Sequence, residues 1–314
     1  MPGSRVMPHV FFAIIAVTFV PFSNHLHAQQ CRMAHDANAL RALQNKATSG
    51  DADAQCGLGR QYEFALGVPQ DLKQSVLWLQ KSADQGNIVA EVELGVVFDQ
   101  MQNFEQALIW YRKAAEQGNA RAQYNLGLAY GNGESVPKDL MQANAWFRKS
   151  ADQGDALAQS NLAVDYEHGI GVPQDYRQAA DWYRKAAELG LAEAQYGLGF
   201  LYLNCKGVPK DDTQATAWML KAAEQGETKA QYNLGSCYIN GGGVNRDLNE
   251  GYFWVFLASI RATDTDLKGY AENSLEALAK VMKKSDIKSA QKHAQAWLKE
   301  HPHPLLAEPI GVTE

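Results

Sequence analysis

The apolar positions of this chain recur on a long period. An Ala followed by Gln or Glu stands at Ala54, Ala90, Ala122, Ala158, Ala194 and Ala230, at spacings of 36, 32, 36, 36 and 36. Tryptophan keeps the same register: Trp78, Trp110, Trp146, Trp182, Trp218 and Trp254 follow one another at 32, 36, 36, 36 and 36. Six of the seven tryptophans therefore occupy one position of a structural repeat. Within a unit, Ala122, Leu126 and Tyr130 fall at i, i+4 and i+8, one face of a first helix. A glycine beside the Leu (Gly59, Gly95, Gly127, Gly199 and Gly235, with Ala163 in the fourth unit) predicts a close helix crossing there. A turn then reads GVPQD at Gly67–Asp71 and Gly171–Asp175, and GVPKD at Gly207–Asp211. Gly admits positive φ, Pro stops the first helix, and the Asp side chain caps the second. Asp139 and Asp247 stand at the same place in units three and six. Unit two lacks four residues here and offers Asn103 as its cap, so both of its helices survive. The second helix, typified by Asp175–Gly190, carries the stripe Ala179, Trp182 and Ala186. It ends at a glycine suited to the left-handed position: Gly86, Gly118, Gly154, Gly190 and Gly226.

A helix pair of this size cannot bury its own apolar face, whereas stacked pairs share a continuous core. Residues 54–259 are thus expected to form twelve helices in six pairs, with no sheet and with Trp182 in the core. The combined pattern A-x-x-x-L-G-x-x-Y, G-V-P-x-D and A-x-x-W-x-x-K-A-A-x-x-G resembles the Sel-1-like repeat, a relative of the tetratricopeptide repeat. It covers about two thirds of the chain. The resemblance implies an all-α, right-handed superhelical solenoid whose first helices line a concave groove. It also implies adaptor or scaffold work.

The ends read as caps, which a solenoid needs to close its terminal faces. Residues 29–53 form the N-terminal cap, with an unpaired second helix over 36–49 that turns Leu40 and Leu43 toward the stack. Residues 260–300 form the C-terminal cap. One helix there carries Leu275, Leu278, Ala279 and Met282, the next Ile287, Ala290, Ala294 and Leu298, and Trp297 packs in the cap. Residues 301–314, with Pro302, Pro304 and Pro309, read as an irregular tail.

The first 28 residues have the organisation of a secretory signal peptide: Arg5, then an apolar run from Val10 to Val20, then a polar segment ending at Ala28. The 11-residue apolar run is too short for a membrane helix, which needs about 20 residues. The chain is expected to be exported, periplasmic or secreted, with no membrane span after cleavage. Removing residues 1–28 takes away Arg5 and no acid, so a net charge of −6 becomes −7. An acidic chain without a dense Lys/Arg segment excludes nucleic acid as the expected partner. Export permits disulfides among Cys31, Cys56, Cys205 and Cys237, with three possible pairings. Cys205 lies at offset +11 of unit five and Cys237 at +7 of unit six, which favours pairing them and leaves Cys31 for Cys56.

No catalytic constellation stands out, and neither a cofactor nor a metal is expected. Ser285 and Lys288 match the S-x-x-K of penicillin-interacting serine enzymes, but the companion S-D-N and K-T-G motifs are absent, and Ser285 sits where a helix cap belongs. His301 and His303 fall short of a three- or four-ligand metal site, and His168 stands alone. By resemblance to tetratricopeptide repeats, offsets +2, +3, +6, +9 and +10 from the repeat Ala line the groove. They supply Tyr124, Asn125, Asn161, Glu167, Tyr196, Phe200, Tyr232 and Asn233 as candidate ligand-binding residues. Tyr and Phe offer contact area, Asn both a donor and an acceptor. The expected partner is a protein or peptide in the cell envelope or outside the cell. Relatives linked to β-lactam binding leave a second reading: a cell-wall or β-lactam-binding protein, or a modulator of envelope enzymes.

Overall fold

The computed structural model describes residues 37–301. These hold fifteen helices and no strand. A lone helix α1 (Ala37–Thr48) is followed by six hairpins. They are α2 (Ala52–Phe64) with α3 (Leu72–Ala83), α4 (Ile88–Gln100) with α5 (Phe104–Glu116), and α6 (Ala120–Asn132) with α7 (Leu140–Ala151). Next come α8 (Ala156–His168) with α9 (Tyr176–Glu188), α10 (Ala192–Leu203) with α11 (Asp212–Glu224), and α12 (Thr228–Asn240) with α13 (Leu248–Arg261). Helices α14 (Thr265–Ala279) and α15 (Lys284–Glu300) close the series. The all-α repeat architecture expected from the periodicity is the one the chain adopts. Two compact units divide after Gln153, the first carrying α1–α7 and the second α8–α15.

The caps follow the turn chemistry. Asp71, Asp139, Asp175, Asp211 and Asp247 each accept backbone N–H bonds at the start of a second helix, and Asn103 does so in the shortened repeat. Asp175 accepts from Arg177 at 2.9 Å and Gln178 at 3.2 Å. Replacing Asp175 by Ala should lower stability by about 1 kcal/mol. Chemical denaturation checks this, and an unchanged midpoint would reject the cap. Gly86, Gly118, Gly154, Gly190 and Gly226 all take positive φ, as the second-helix exits require.

Each hairpin closes around the small residue at offset +5. A side chain on Gly59 would collide with Leu79, on Gly127 with Phe147, on Gly199 with Met219 and on Gly235 with Val255. In the first two repeats the tryptophan of the second helix packs back across its own first helix onto the helix before it: Trp78 lies on Ala47, Ala54 and Leu58, and Trp110 on Leu79, Leu94 and Val97. Trp182 is 3% exposed. A lysine three residues on lies over the ring in five repeats, at 3.7 Å for both Lys149 on Trp146 and Lys185 on Trp182. A glutamine pair ties the end of the second helix to the first helix of the same hairpin in repeats one, three and five. Gln85 Nε2 donates to Gln55 Oε1, Gln153 to Gln123 and Gln225 to Gln195, at 2.8, 2.7 and 2.9 Å.

At the N-terminal end, Leu40, Leu43 and Ala47 of α1 cover Ala54 and Leu58. At the C-terminal end, Trp297 meets Trp254 edge-on at 6.3 Å, and the Arg261 guanidinium lies over the Trp297 ring while donating to the His301 carbonyl. Two details of this cap differ from the sequence reading. Ala279 is exposed, because α14 ends there. Ser285 is not the cap of α15: the helix starts one residue earlier, after Lys283, and the Ser285 hydroxyl donates instead to Asp286 at 3.0 Å.

Candidate interaction face

Offsets +2, +3, +6, +9 and +10 do not behave alike. Position +2 is mostly interior: Cys56, Val92, Tyr124 and Ser160 are buried. Tyr124 packs against Phe147 at 5.8 Å between ring centres. Position +9 is also drawn inward where it is acidic: Glu63 and Glu167 are buried, and Glu167 accepts from the Tyr183 hydroxyl at 3.0 Å. Tyr124 and Glu167 are therefore engaged with their own hairpins and are not free groove side chains. A first helix is flanked by its own second helix and by that of the preceding repeat, as Gln55 donating to the Ala47 carbonyl and Gly197 abutting Tyr183 show. The buried arc is accordingly wider than one stripe.

The face that remains runs through offsets −1, +3, +6 and +10, which are successive i+4, i+3 and i+4 steps on one side of the helix. Asn125 and Asn161 at +3 are half-buried. In the second unit, Tyr196, Phe200, Tyr232 and Asn233 are half-buried. Tyr196 and Phe200 lie 6.2 Å apart and lean on the core around Met219 and Leu234, so they act partly as packing residues. Asn233 Nδ2 donates to the Tyr196 hydroxyl at 3.5 Å and links two successive first helices. Burial pushes the Tyr196 phenol above the ordinary tyrosine range.

Sequence reading missed the −1 register. It holds Asp53, Val89, Arg121, Leu157, Glu193 and Lys229, six different residues, all exposed. Their variety, set against the fixed Ala that follows, is the signal that identifies them. It also missed a charged cluster on the first three repeats. Glu93, 3% exposed, is met by Arg121 Nη1 at 3.1 Å and Arg60 Nε at 3.8 Å. Glu63 lies in the same field and accepts from Gln100 Nε2 at 2.8 Å. Burial, with Glu93 adding to it, pushes the Glu63 carboxyl up to about 7 and the Cys56 thiol up to about 12.

The expected Cys205–Cys237 disulfide is absent. Cys205 sits exposed in the turn after α10 with φ +54°, whereas Cys237 is buried inside α12 beside Thr216. The two thiols are separated by orientation, one turned to solvent and one to the hairpin interior. Cys56 is buried in α2, and its expected partner Cys31 lies outside the described residues, as do the signal segment, His303 and the tail beyond His301. Among the described residues no cluster of His, Cys, Asp or Glu is disposed to hold a metal, and no helix is long and apolar enough to cross a membrane. Ser285 and Lys288 are both exposed on the first turn of α15, and His168 is exposed with Nδ1 on the Val164 carbonyl.

This arrangement defines a helical-repeat scaffold, with an invariant packing frame and a variable exposed register. The Sel1 repeat family matches residues 52–87, 90–119, 120–155, 156–191, 192–227 and 228–259, and the chain belongs to that family. Sel1 repeats form a non-catalytic scaffold fold typically used for protein–protein interaction. The crystal structure of a protective antigen present in uropathogenic Escherichia coli strains, which displays this fold, is similar at 37% identity and a TM-score of 0.76 over 87% of this chain. This chain spans 60% of that protein's length. A Sel1 repeat protein from Oxalobacter formigenes is similar at 32% identity and a TM-score of 0.66, over 78% of this chain and 74% of that one. No curated protein matches the chain.

Proposed function

We propose that this protein is an exported adaptor that binds a protein or peptide partner through the variable face of its first helices. The observation that carries this reading is the −1 register: six repeats hold Ala at the next position, yet Asp53, Val89, Arg121, Leu157, Glu193 and Lys229 are all different and all exposed. Exposure frees this register from the packing that holds the Ala beside it, and so leaves its side chains available to an outside partner. The half-buried Tyr232 and Asn233 add contact area and hydrogen-bonding capacity beside Lys229. Export rests on the Arg5 to Ala28 segment. A relative that is a protective antigen supports a location outside the cytoplasm. The mass of the mature N-terminus tests export: cleavage after Ala28 is expected, and a retained Arg5 in cell-free protein would reject it.

Capture from an envelope extract tests the adaptor reading. The natural protein should retain a partner, and a Glu193→Lys, Lys229→Glu double variant should weaken its binding about tenfold in calorimetry, a loss typical of one interface hot spot. Both residues are exposed, so circular dichroism should be unchanged. Retention of no partner at all, or equal affinity in the folded variant, overturns the reading.

A further inference from the structure

Repeats two and four share an acid–tyrosine couple, part-buried in repeat two and buried in repeat four, that repeat one lacks. In repeat two, Tyr111 of α5 donates to Asp99 at the end of α4 at 2.5 Å. In repeat four, Tyr183 of α9 donates to Glu167 at the end of α8 at 3.0 Å. Both acids stand at offset +9, and both tyrosines follow the repeat Trp. Repeat one has the acid, Glu63, but Leu79 where the tyrosine would be. The carboxyl is nonetheless 1% exposed, and its Oε2 has no hydrogen-bond partner. Only Gln100 reaches it, through Oε1, and Gln100 is an exposed side chain on the next first helix.

The groups that face Glu63 are Arg60 on its own helix, Glu93 and Gln100 on α4, and Arg121 at the start of α6. The two arginines are both spent on Glu93. The cluster therefore holds one matched carboxylate and one carboxyl with an unused oxygen. An uncompensated carboxylate here is costly, and the carboxyl responds by holding its proton up to about pH 7. A cation arriving past Gln100 would supply the missing partner.

Resting on the adaptor reading, we propose that Glu63 is a recognition point for a lysine side chain of the partner, whose ammonium displaces Gln100 and binds the carboxylate. Lysine fits because a buried carboxylate with a single unpartnered oxygen offers a point acceptor, which suits a compact ammonium on an alkyl stem. Only the ionised carboxylate takes the cation, so binding releases a proton. Affinity should rise about tenfold from pH 6 to pH 8, as the competent fraction grows.

The probe is N-acetyl-lysine N-methylamide, with the norleucine analogue as the uncharged control, followed by the carbon resonance of the Glu63 carboxyl. Saturable displacement by the lysine compound is expected, tighter at pH 8 than at pH 6. Glu63→Gln should abolish the binding. So should Leu79→Tyr, which gives Glu63 the hydroxyl that Asp99 and Glu167 already have. Gly59 leaves room at Leu79 as Gly95 does at Tyr111, so that variant should fold. No saturation in the folded natural protein, an equal response to the norleucine compound, or full binding by Glu63→Gln overturns the proposal. The two readings fail separately. A captured partner that Glu63→Gln does not release refutes the lysine site and leaves the adaptor standing. Without any captured partner, the probe titration still decides the site.

Discussion

Gly235→Val should destabilise the protein by about 3 kcal/mol, at the upper end of what overpacking costs. The reason is the crossing of α12 and α13. A Cβ at Gly235 would lie 2.9 Å from the carbonyl oxygen of Gly251 and 2.6 Å from Val255 Cγ2. The partner helix is equally bare there: a Cβ on Gly251 would lie 2.6 Å from Ile239 and 3.2 Å from the Gly235 carbonyl oxygen. A flexible side chain could swing away, but here backbone meets backbone, so relief requires the helices to part. Parting them would expose a core that includes Leu234, Phe253, Trp254 and Leu257. Gly50→Ala is the contrasting control, since nothing lies within 4 Å of a Cβ there, although its φ of +100° adds backbone strain. Urea denaturation measures both. A Gly235→Val protein within about 1 kcal/mol of the natural one would show that the close crossing is not what holds the last hairpin.

Much of this frame was legible because each of its residues answers to something local and repeated. The turn Asp finds free N–H groups three residues away, the exit glycines need positive φ, and the +5 glycine and the Trp recur in register. The interaction face was less legible because its boundaries depend on how many neighbours surround a first helix. A helical wheel assigns +2 to the open side, but Tyr124 is buried there against Phe147 of its own hairpin, while Arg121 and Lys229 stay exposed at −1. The acid–tyrosine couple was hidden by the shortened repeat: Asp99 and Tyr111 are 12 residues apart, while Glu167 and Tyr183 are 16 apart. Without the four-residue offset accounted for, the two pairs do not look like one motif. The cysteines failed for another reason. Spacing along the helix axis was compatible with a bridge between Cys205 and Cys237, but axial spacing carries no information on rotation, and rotation turns one thiol outward and the other inward.

The orphan couple of repeat one has a consequence for stability that needs no ligand. The Glu63 carboxyl, ordinarily at 4.5, is raised to about 7 in the folded protein, chiefly by burial and next by Glu93. A raised carboxylate means that the folded state binds the proton more tightly than the unfolded state. The protein is then most stable with Glu63 neutral, and this group withdraws stability as pH climbs from about 4.5 to about 7. Above that window its penalty is constant, at about 3 kcal/mol. Glu63→Gln keeps the shape and the hydrogen bonding but cannot ionise. It should match the natural protein at pH 4.5 and exceed it by about 2 to 3 kcal/mol at pH 8. Part of the slope should remain, because burial also raises Asp99, to about 6, and Glu227 in the same direction. Leu79→Tyr offers an independent check, since a donated hydroxyl stabilises the ionised form and should move the upper edge of the window to lower pH. Denaturation midpoints across pH 4 to 9 decide the matter. Parallel curves for the natural protein and Glu63→Gln would mean that Glu63 is ionised in the fold at neutral pH, and that its second oxygen has found a partner.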